Sequence, residues 1–263
     1  YGDAVRLIQQ ANQGPALARN TGIEAATGAY IKFCDADDIL YPRHIEKVMV
    51  CFAQNPAVAA VYTRYLHVLA DGQTPKPHIT DPDLLSGDIY CDLLASNSNA
   101  ILTSALTVKR DCLLDIGLFL QDDTLRHSED WDLFLRLAAR YLYATVPEIL
   151  VNYRWHDDNI SSQNLSVALG RLIVWQRSRE TALEKGCYTT SEFDRIIAGR
   201  YHLYAIQAWR WRQHQDARQA FQQAITLTPH SRLIRRLYWA LTYIAPFRVV
   251  PYIDALLKKV QAS

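Results

Sequence analysis

The sequence predicts an α/β fold with a mixed, mainly parallel sheet flanked by helices, followed by an all-helical C-terminal extension. Strand-like and helix-like segments alternate through the first part of the 263-residue chain, which is the pattern of βαβ units. A run of carboxylates directly follows an apolar strand, and such sheets bind ligands at the carboxyl ends of their strands. After about residue 162 the strand patterns stop and long helical patterns begin. We therefore expect one domain over residues 1–164 and a helical region over residues 165–263.

Short apolar runs separated by turn residues predict the first elements. Residues 5–8 are β-branched and apolar and predict a strand, and the Ala-rich residues 16–26 predict a helix that ends near a glycine. Residues 30–34 predict the next strand. A proline opens a helix over residues 42–54, and residues 58–68 predict a further strand that ends at an Asp-Gly turn. This alternation indicates parallel strands joined by helices.

The remaining elements of the sheet region are spaced more widely. Residues 80–98 predict a loop with one short helix, and residues 100–108 predict a strand that is followed by a short helix over residues 110–116. Residues 129–141 have apolar side chains at helical spacing and predict an amphipathic helix. Residues 145–153 predict the last strand, and we expect it to complete the sheet.

Composition and charge narrow the class of protein. The hydrophobic fraction is 49%, ordinary for a folded domain, and the formal net charge of +1 gives no reason to expect nucleic acid as a partner. Five cysteines are scattered without a close pair, so we expect a reducing compartment, no disulfide framework and no zinc site. No run of about 18 apolar residues predicts a spanning helix, and we expect a cytoplasmic protein. The chain begins at Tyr1, and we expect its natural start to lie upstream.

The first cluster with chemical meaning is the acidic run at residues 35–38. Asp35, Asp37 and Asp38 directly follow an apolar strand, and three carboxylates at one strand end repel one another and are costly to desolvate. A hard divalent cation with oxygen ligands would relieve that repulsion and could also hold two phosphates. The alternative is that one of these residues caps the following helix while the others face water.

The second cluster begins at Ser128, where Glu129, Asp130 and Asp132 precede the apolar residues of a predicted helix. Acidic side chains at a helix start are favoured by the helix dipole, so capping is one interpretation. The other is a carboxylate that is held at the helix start and aimed into a cleft as a general base. Trp131 is either a core residue or a platform for a sugar ring.

The third cluster surrounds His156 and follows the last predicted strand. A histidine there could ligate a metal or contact a diphosphate, and Arg154 could neutralise phosphate charge. A lone histidine can equally be a structural hydrogen-bonding residue. The sequence around His156 leaves both interpretations open.

In this order, the three clusters resemble the motifs of family 2 glycosyltransferases of the GT-A fold, which is Rossmann-like. Residues 12–22 end in Ala-Arg-Asn-Thr-Gly and look like the family's Ala-Arg-Asn-x-Gly segment, and residues 28–38 are similar to its strand into a DxD motif. Residues 116–119 and 128–133 resemble its acceptor-side segment. The resemblance extends over residues 5–161. It also implies two opening strands that hold the nucleotide base, and we expect these upstream of this chain.

The resemblance implies a metal-dependent, inverting glycosyltransferase with Mn²⁺ or Mg²⁺ as its cofactor and a nucleotide-sugar donor, for which UDP is the expected nucleotide. Asp130 would be the catalytic base that accepts the proton of the acceptor hydroxyl. Asp37 and His156 would bind the metal at the donor diphosphate. The residues implied in donor binding are Arg19, Asn20, Asp35, Asp37 and His156. Glu129 and Trp131 would lie on the acceptor side.

The expected acceptor is a saccharide or a lipid-linked sugar in cell-surface polysaccharide or glycolipid synthesis, with no nucleic acid involved. Two alternatives stay open. A metal-dependent nucleotidyltransferase also has carboxylates and metal at strand ends, but it would have a Gly-rich phosphate loop that the visible sequence lacks. A non-catalytic helical-repeat scaffold with a degenerate transferase domain would show further helical repeats.

The C-terminal region has two features of its own. Residues 201–229 look like one tetratricopeptide-like unit, with Ala217, Phe221 and Ala224 at the spacing of its second helix; the alternative is ordinary packing helices. Residues 233–260 mix aromatic and basic side chains and are interrupted by prolines. They predict either peripheral contact with the inner face of an anionic membrane or docking onto the sheet domain.

Overall fold

The structure, a computed structural model, describes residues 5–69, 84–96, 101–125, 127–155 and 165–228. The chain divides into two compact units, residues 1–162 and 163–263. The boundary predicted near residue 164 lies close to that division. His156 and residues 233–260, both singled out in the sequence, lie outside the described residues.

Among the described residues, the first unit contains a five-stranded sheet that is mixed in direction. Its strands are β1 (Tyr30–Lys32), β2 (Ile39–Leu40), β3 (Val58–Leu69), β4 (Leu106–Lys109) and β5 (Leu142–Trp155). They lie in the order β1-β4-β3-β5-β2. The long central pair, β3 and β5, is rich in β-branched and aromatic side chains, which suit a pleated, half-buried surface.

Helices flank the sheet of the first unit. They are α1 (Pro15–Ala25), α2 (His44–Gln54), α3 (Tyr90–Ala95), α4 (Arg110–Asp115) and α5 (Glu129–Arg140), and a 3₁₀ turn over Thr103–Ala105 precedes β4. α1 begins at a proline, which is tolerated there because the first helical N–H has no partner within the helix. The apolar side of α2 packs on β3 and β5 through Val48, Phe52, Val61 and Val146.

The predicted mixed sheet flanked by helices is confirmed, but the expectation of mainly parallel pairing is wrong for the described strands. β3 and β5 pair in parallel, whereas the pairs β1–β4, β3–β4 and β2–β5 are antiparallel. The alternation of strand and helix correctly predicted that β1, β3 and β5 run in one direction. It could not predict that β4 inserts between β1 and β3, because sequence order indicates the direction of a crossover strand but not which strands become neighbours.

Two predicted strand segments differ from the structure. Residues 5–8 have no regular structure, and Val5 and Leu7 are 62% and 80% exposed. No described strand pairs with this segment, so its backbone has no ladder to join. The strand predicted from residue 100 begins only at Leu106, because Thr103–Ala105 form the 3₁₀ turn. The other predicted elements of this unit are present, with ends shifted by a few residues.

The bonding states of the cysteines differ from the expectation of free thiols throughout the chain. Cys34, Cys51 and Cys112 are free thiols, whereas Cys91 and Cys187 are disulfide-bonded. The expectation of no disulfide is therefore wrong for these two residues. Their spacing in the sequence did not indicate bonding, because disulfide formation depends on distances in the folded chain.

The described part of the second unit is helical. Its helices are α6 (Leu165–Arg177), α7 (Arg179–Glu184), α8 (Thr190–Arg210) and α9 (His214–Leu227). Thr189 and Glu192 form a capping box at the start of α8, and Trp209, Ala217 and Phe221 belong to the buried core shared by α8 and α9. The tetratricopeptide-like interpretation of this helix pair stays a prediction. No helix in the described ranges is long and apolar enough to span a membrane.

Candidate functional site

The acidic run at residues 35–38 forms a tight loop after β1 and is held from two sides. The Asp35 backbone N–H donates to Ser104 Oγ at 2.9 Å. Within the loop, the Asp38 N–H donates to the Asp35 carbonyl at 3.1 Å. Asp38 Oδ1 accepts the backbone N–H of Arg154, near the end of β5, at 3.2 Å. The loop therefore joins the ends of β1 and β5, where the sequence predicted a ligand site.

The carboxylates of this loop have different surroundings. Asp38 is buried, and its Oδ2 has no hydrogen-bond partner among the described residues. Burial raises the pKa of Asp38, an effect opposed by hydrogen bonds from Ser104 and the Arg154 backbone. Asp35 and Asp37 are partly exposed. A buried carboxylate oxygen without a protein donor can be satisfied by a proton, a water molecule or a cation, and a hard divalent ion is one of the groups that carboxylates of this kind can bind.

The described residues do not by themselves complete a metal cage. No group of three or more His, Cys, Asp or Glu side chains converges with metal-binding geometry in the ranges that the structure covers. His156, predicted as a metal ligand, lies outside those ranges. Remaining ligands of an ion at this loop would come from outside the described residues, for example from the phosphates of a substrate.

Arg19 on α1 connects the acidic loop with the start of α5. Its Nη2 donates to Asp35 Oδ1 at 2.9 Å and its Nη1 reaches Glu129 Oε1 at 3.5 Å. The guanidinium also lies over the Phe119 ring, 5.5 Å from the centroid. One half-buried cation thus contacts both acidic clusters that the sequence singled out.

Asn20, next to Arg19, has a different environment. It is buried, its Nδ2 donates to the Phe119 carbonyl at 2.8 Å, and its Oδ1 accepts the Phe119 N–H at 3.0 Å. These two bonds fasten α1 to the segment that precedes α5. Asn20 therefore sets the position of the α1 residue that contacts the carboxylates.

Asp130 lies at the start of α5 in a half-buried position. Its Oδ1 accepts the Trp131 N–H at 2.7 Å, and the Thr103 hydroxyl lies 3.5 Å from its Oδ2. Burial, followed by the negative charge of Glu129, raises the pKa of Asp130 to about 6, against the opposing effects of the Trp131 N–H and Arg19. A carboxylate with this pKa can accept a proton near neutral pH and release it again.

The two residues predicted on the acceptor side are both engaged within the protein. Trp131 is 1% exposed, and its indole N–H donates to the Leu93 carbonyl at 3.2 Å, so core packing accounts for it. The Glu129 carboxylate is paired with Arg19, although it also lines a cleft.

Two clefts open at this site. One of about 380 Å³ is lined by Arg19, Lys32, Cys34 and Asp35, among others. The other, of about 460 Å³, lies between residues 12–17 and 120–123 and reaches Glu129. Each cleft lies in the size range of small-molecule sites. Arg19 lines the first cleft and Glu129 lines the second, and the two side chains contact each other.

The structure adds residues that the sequence did not single out. Ser104 contacts the first residue of the acidic loop, and Lys32 contacts the backbone of Ser104. Thr103 contacts Asp130, and Phe119 contacts Arg19. One signal was visible in the sequence: Lys32 interrupts an otherwise apolar and aromatic strand, and a buried lysine needs partners. Nothing in the local pattern distinguished Thr103 or Ser104 from ordinary strand residues.

Comparison with known proteins identifies relatives of the chain. A family model described as glycosyltransferase like family 2 matches residues 4–175, which is more than half of the chain. A chondroitin synthase of Pasteurella multocida (strain Pm70) is 25% identical over 200 residues, and a hyaluronan synthase of Pasteurella multocida is 24% identical over 200 residues. Each alignment covers 76% of this chain and 20% of the synthase. The chain thus spans about a fifth of the length of these relatives.

A solved structure, the mannosyltransferase PcManGT from Pyrobaculum calidifontis in complex with GDP-Man and Mn2+, aligns with 93% of this chain and 64% of its own length. The sequence identity is 18% and the TM-score is 0.45, and this degree of similarity has no bearing on the donor or metal of this chain. The family match, in contrast, includes α1, the acidic loop and α5, the elements that form the site. On that match, the chain belongs to the glycosyltransferase like family 2.

Proposed function

We propose that this chain contains the transferase domain of an inverting glycosyltransferase that moves a sugar from a nucleoside-diphosphate sugar to a hydroxyl acceptor. The observation that most supports this proposal is Arg19, which contacts both Asp35 in the acidic loop and Glu129 beside Asp130. The acidic loop and a carboxylate with a raised pKa thereby belong to one connected site. Stabilisation of the leaving diphosphate and a base for the hydroxyl are the two contributions that such a transfer uses.

The donor side of the proposed site is the acidic loop with Arg19. Asp35 would contact the donor's ribose, and Arg19 the nucleotide or its phosphates, as expected from the family resemblance. Asp37, with His156, would hold Mn²⁺ or Mg²⁺, and the orphaned Asp38 oxygen supports a cation at this loop. When bound, such a cation offsets the negative charge that develops on the departing diphosphate. A UDP-sugar is the expected donor.

The transfer step follows from the position of Asp130. The acceptor hydroxyl oxygen forms a bond to the anomeric carbon while the bond from that carbon to the diphosphate oxygen breaks. The electron pair of the broken bond leaves with the nucleoside diphosphate, and the hydroxyl proton moves to the Asp130 carboxylate. Attack from the face opposite the leaving group inverts the anomeric configuration. Asp130 then returns the proton to water.

The acceptor is proposed from the relatives. Two of them are named as synthases of chondroitin and hyaluronan, which are polysaccharides, and the cleft beside Glu129 would admit a sugar residue. A saccharide or lipid-linked sugar in cell-surface polysaccharide or glycolipid synthesis is therefore the proposed acceptor class. We place the reaction in the cytoplasm, at the inner face of the membrane if residues 233–260 bind it.

A calorimetric titration tests the donor site. UDP, GDP and TDP are titrated into the protein with and without Mn²⁺, and into Asp37→Asn and Asp111→Asn proteins. We expect metal-dependent binding of one nucleotide, at least tenfold weaker in Asp37→Asn and unchanged in Asp111→Asn, whose carboxylate is exposed on α4. Failure of all three nucleotides to bind, with or without metal, would contradict the proposed donor site.

Measurements of turnover test the assignment of Asp130 as the base independently of nucleotide binding. Release of nucleoside diphosphate from the matching sugar nucleotide is followed with a mixture of saccharide acceptors, and NMR of the product gives its anomeric configuration. Asp130→Asn should remove turnover while nucleotide affinity stays within a few-fold of wild type. An Asp130→Asn protein that transfers sugar at the normal rate would refute the assignment of the base, and a product with retained configuration would refute the single displacement.

A further inference from the structure

The 3₁₀ turn Thr103–Ala105 lies directly beneath the site and is fully buried. Thr103 is 3% exposed, and Ser104 and Ala105 are 0% exposed. The turn leads into β4, the strand that inserts between β1 and β3. Neither the family motifs nor the proposed transfer step gives these residues a role. Buried hydroxyls are costly unless they are hydrogen-bonded, so the partners of Thr103 and Ser104 indicate what the turn does.

Ser104 contacts the acidic loop at its first residue. Its Oγ accepts the Asp35 N–H at 2.9 Å, a bond that a serine hydroxyl can accept through its oxygen. Ser104 therefore holds the start of the loop that contains the proposed metal ligand.

Lys32 in turn holds the backbone of the turn. From β1, its ammonium donates to the Ser104 carbonyl and, at 3.4 Å, to the Leu106 carbonyl. Burial lowers the pKa of Lys32 to about 7, because desolvation disfavours the charged ammonium. An apolar residue would fill the same strand position without that cost.

Thr103 extends the turn toward the other half of the site. Its hydroxyl lies 3.5 Å from Asp130 Oδ2, a long contact that we count as weaker than the Ser104 bond. The same three-residue turn therefore touches the backbone of the acidic loop and the side chain of the proposed base. The hydroxyls of Ser104 and Thr103 thus both have contacts in the site. Thr107 on β4 differs from them, because its buried hydroxyl has no hydrogen-bond partner among the described residues.

We propose that Ser104 and Lys32 are positioning residues that fix the start of the Asp35–Asp38 loop, at Asp35, in its ligand-binding conformation. Ser104 acts through the backbone of Asp35, and Lys32 acts through the backbone of Ser104. The consequence for ligand binding rests on the transferase proposal, whereas the constraint on the loop does not. Carboxylates that bind a metal–diphosphate complex must be held within about half an ångström of their binding positions. This requirement explains why the protein retains the polar side chains of Ser104 and Lys32 beneath the loop.

Amide hydrogen exchange measured by NMR on the free protein tests the constraint. Ser104→Ala removes the acceptor of the Asp35 N–H, and Ser178→Ala is the matched control, since Ser178 is also buried and hydrogen-bonded but lies in the second unit. We expect the Asp35 amide to exchange at least tenfold faster in Ser104→Ala and at the wild-type rate in Ser178→Ala. An Asp35 amide as protected in Ser104→Ala as in wild type would overturn the proposal.

A second pair of variants keeps the test decisive if Ser104→Ala does not fold. Lys32→Met removes the ammonium that holds the turn, and Lys109→Met is its control. Lys109 likewise donates to a backbone carbonyl, that of Pro56, but it lies at the end of the β1–β4 pairing that is opposite to the loop. Lys32→Met should accelerate exchange at Asp35 several-fold, and Lys109→Met should not. Equal exchange rates in the two variants would contradict the role of Lys32.

Nucleotide binding gives the functional readout. In the metal-dependent titration, Ser104→Ala and Lys32→Met should raise the Kd for the nucleotide about tenfold, whereas Ser178→Ala and Lys109→Met leave it unchanged. Unchanged affinity in Ser104→Ala despite faster exchange would overturn the positioning role. If wild type binds no nucleotide, the transferase proposal fails, and exchange at Asp35 still decides whether Ser104 constrains the loop.

Discussion

Glu129 and Asp130 are neighbours in the sequence with different partners. Glu129 is buried and paired with Arg19, whereas Asp130 is half-buried and has no ion pair among the described residues. The charge of Glu129 adds to the effect of burial and raises the pKa of Asp130 to about 6. Two adjacent carboxylates thus acquire different properties from their environment, which is a recurrent way to place a base near neutral pH.

The first prediction concerns the pH dependence of turnover. A base must be ionised to act, so kcat/KM should fall as pH decreases through about 6 and be independent of this group well above it. Glu129→Gln removes the neighbouring negative charge, lowers the pKa of Asp130, and should move this acid limb to lower pH by up to about one unit. Glu46→Gln, on the exposed side of α2, is the control. A pH–rate profile that is flat between pH 5 and 7 would contradict the prediction.

At the scale of elements, α5 is fixed by the side chain of Arg136, which bonds to Asp132 on the same helix and to the segment after α4. Arg136 donates from Nε to Asp132 Oδ2 at 2.7 Å, and its Nη1 and Nη2 donate to the carbonyls of Ile116 and Leu118 at 2.7 and 2.6 Å. Leu118 has a positive φ of 59°, a conformation that is strained for leucine and needs support from its surroundings. Arg136 supplies that support and ties α5 to the segment after α4.

The second prediction follows from these bonds. Arg136→Met leaves the buried Asp132 carboxylate and two carbonyls without their donor, so the free energy of unfolding should fall by about 2–3 kcal/mol. Arg140→Met, one turn later on α5, breaks a pair in which both side chains are largely exposed and should cost less than about 1 kcal/mol. Urea denaturation of the two variants measures the difference. Equal losses would show that the Arg136 contacts contribute no more to stability than the exposed Arg140 pair.

Over the whole molecule, the two compact units have separate apolar cores. In the first, α2 packs on β3 and β5; in the second, α8 and α9 pack around Phe221. The described residues of the proposed donor and base sites all lie in the first unit. We therefore propose that nucleotide binding depends on the fold of the first unit and not on the packing of the second.

The third prediction separates the two units by function. Phe221 is 1% exposed, and Phe221→Ala should lower the stability of the second unit by about 3–5 kcal/mol. The metal-dependent affinity for nucleotide should stay at the wild-type value at temperatures where both units remain folded. Calorimetric unfolding and nucleotide titration on the same sample check both halves of the prediction. A parallel loss of affinity would assign the second unit a part in donor binding.

Local patterns in the chain were enough to predict most helices and strands and the direction of β1, β3 and β5, and the resemblance of its motifs predicted the family. Each depends on residues close in sequence, such as the acidic run after β1 or the carboxylates at the start of α5. The same patterns misplaced residues 5–8, because a β-branched run becomes a strand only beside a partner. They also gave Trp131 two roles, and only its burial decided between them.

Only the folded chain decided which groups meet. The contact between Arg19 and Glu129 joins residues 110 positions apart, and that between Asp35 and Ser104 joins residues 69 positions apart. The insertion of β4 between β1 and β3 brings the Thr103–Ala105 turn beneath the acidic loop, and no periodicity in the sequence reports that neighbour relation. Long-range contacts depend on how strands and helices pack together, whereas residue spacing reports only the type of each element and the face that it buries.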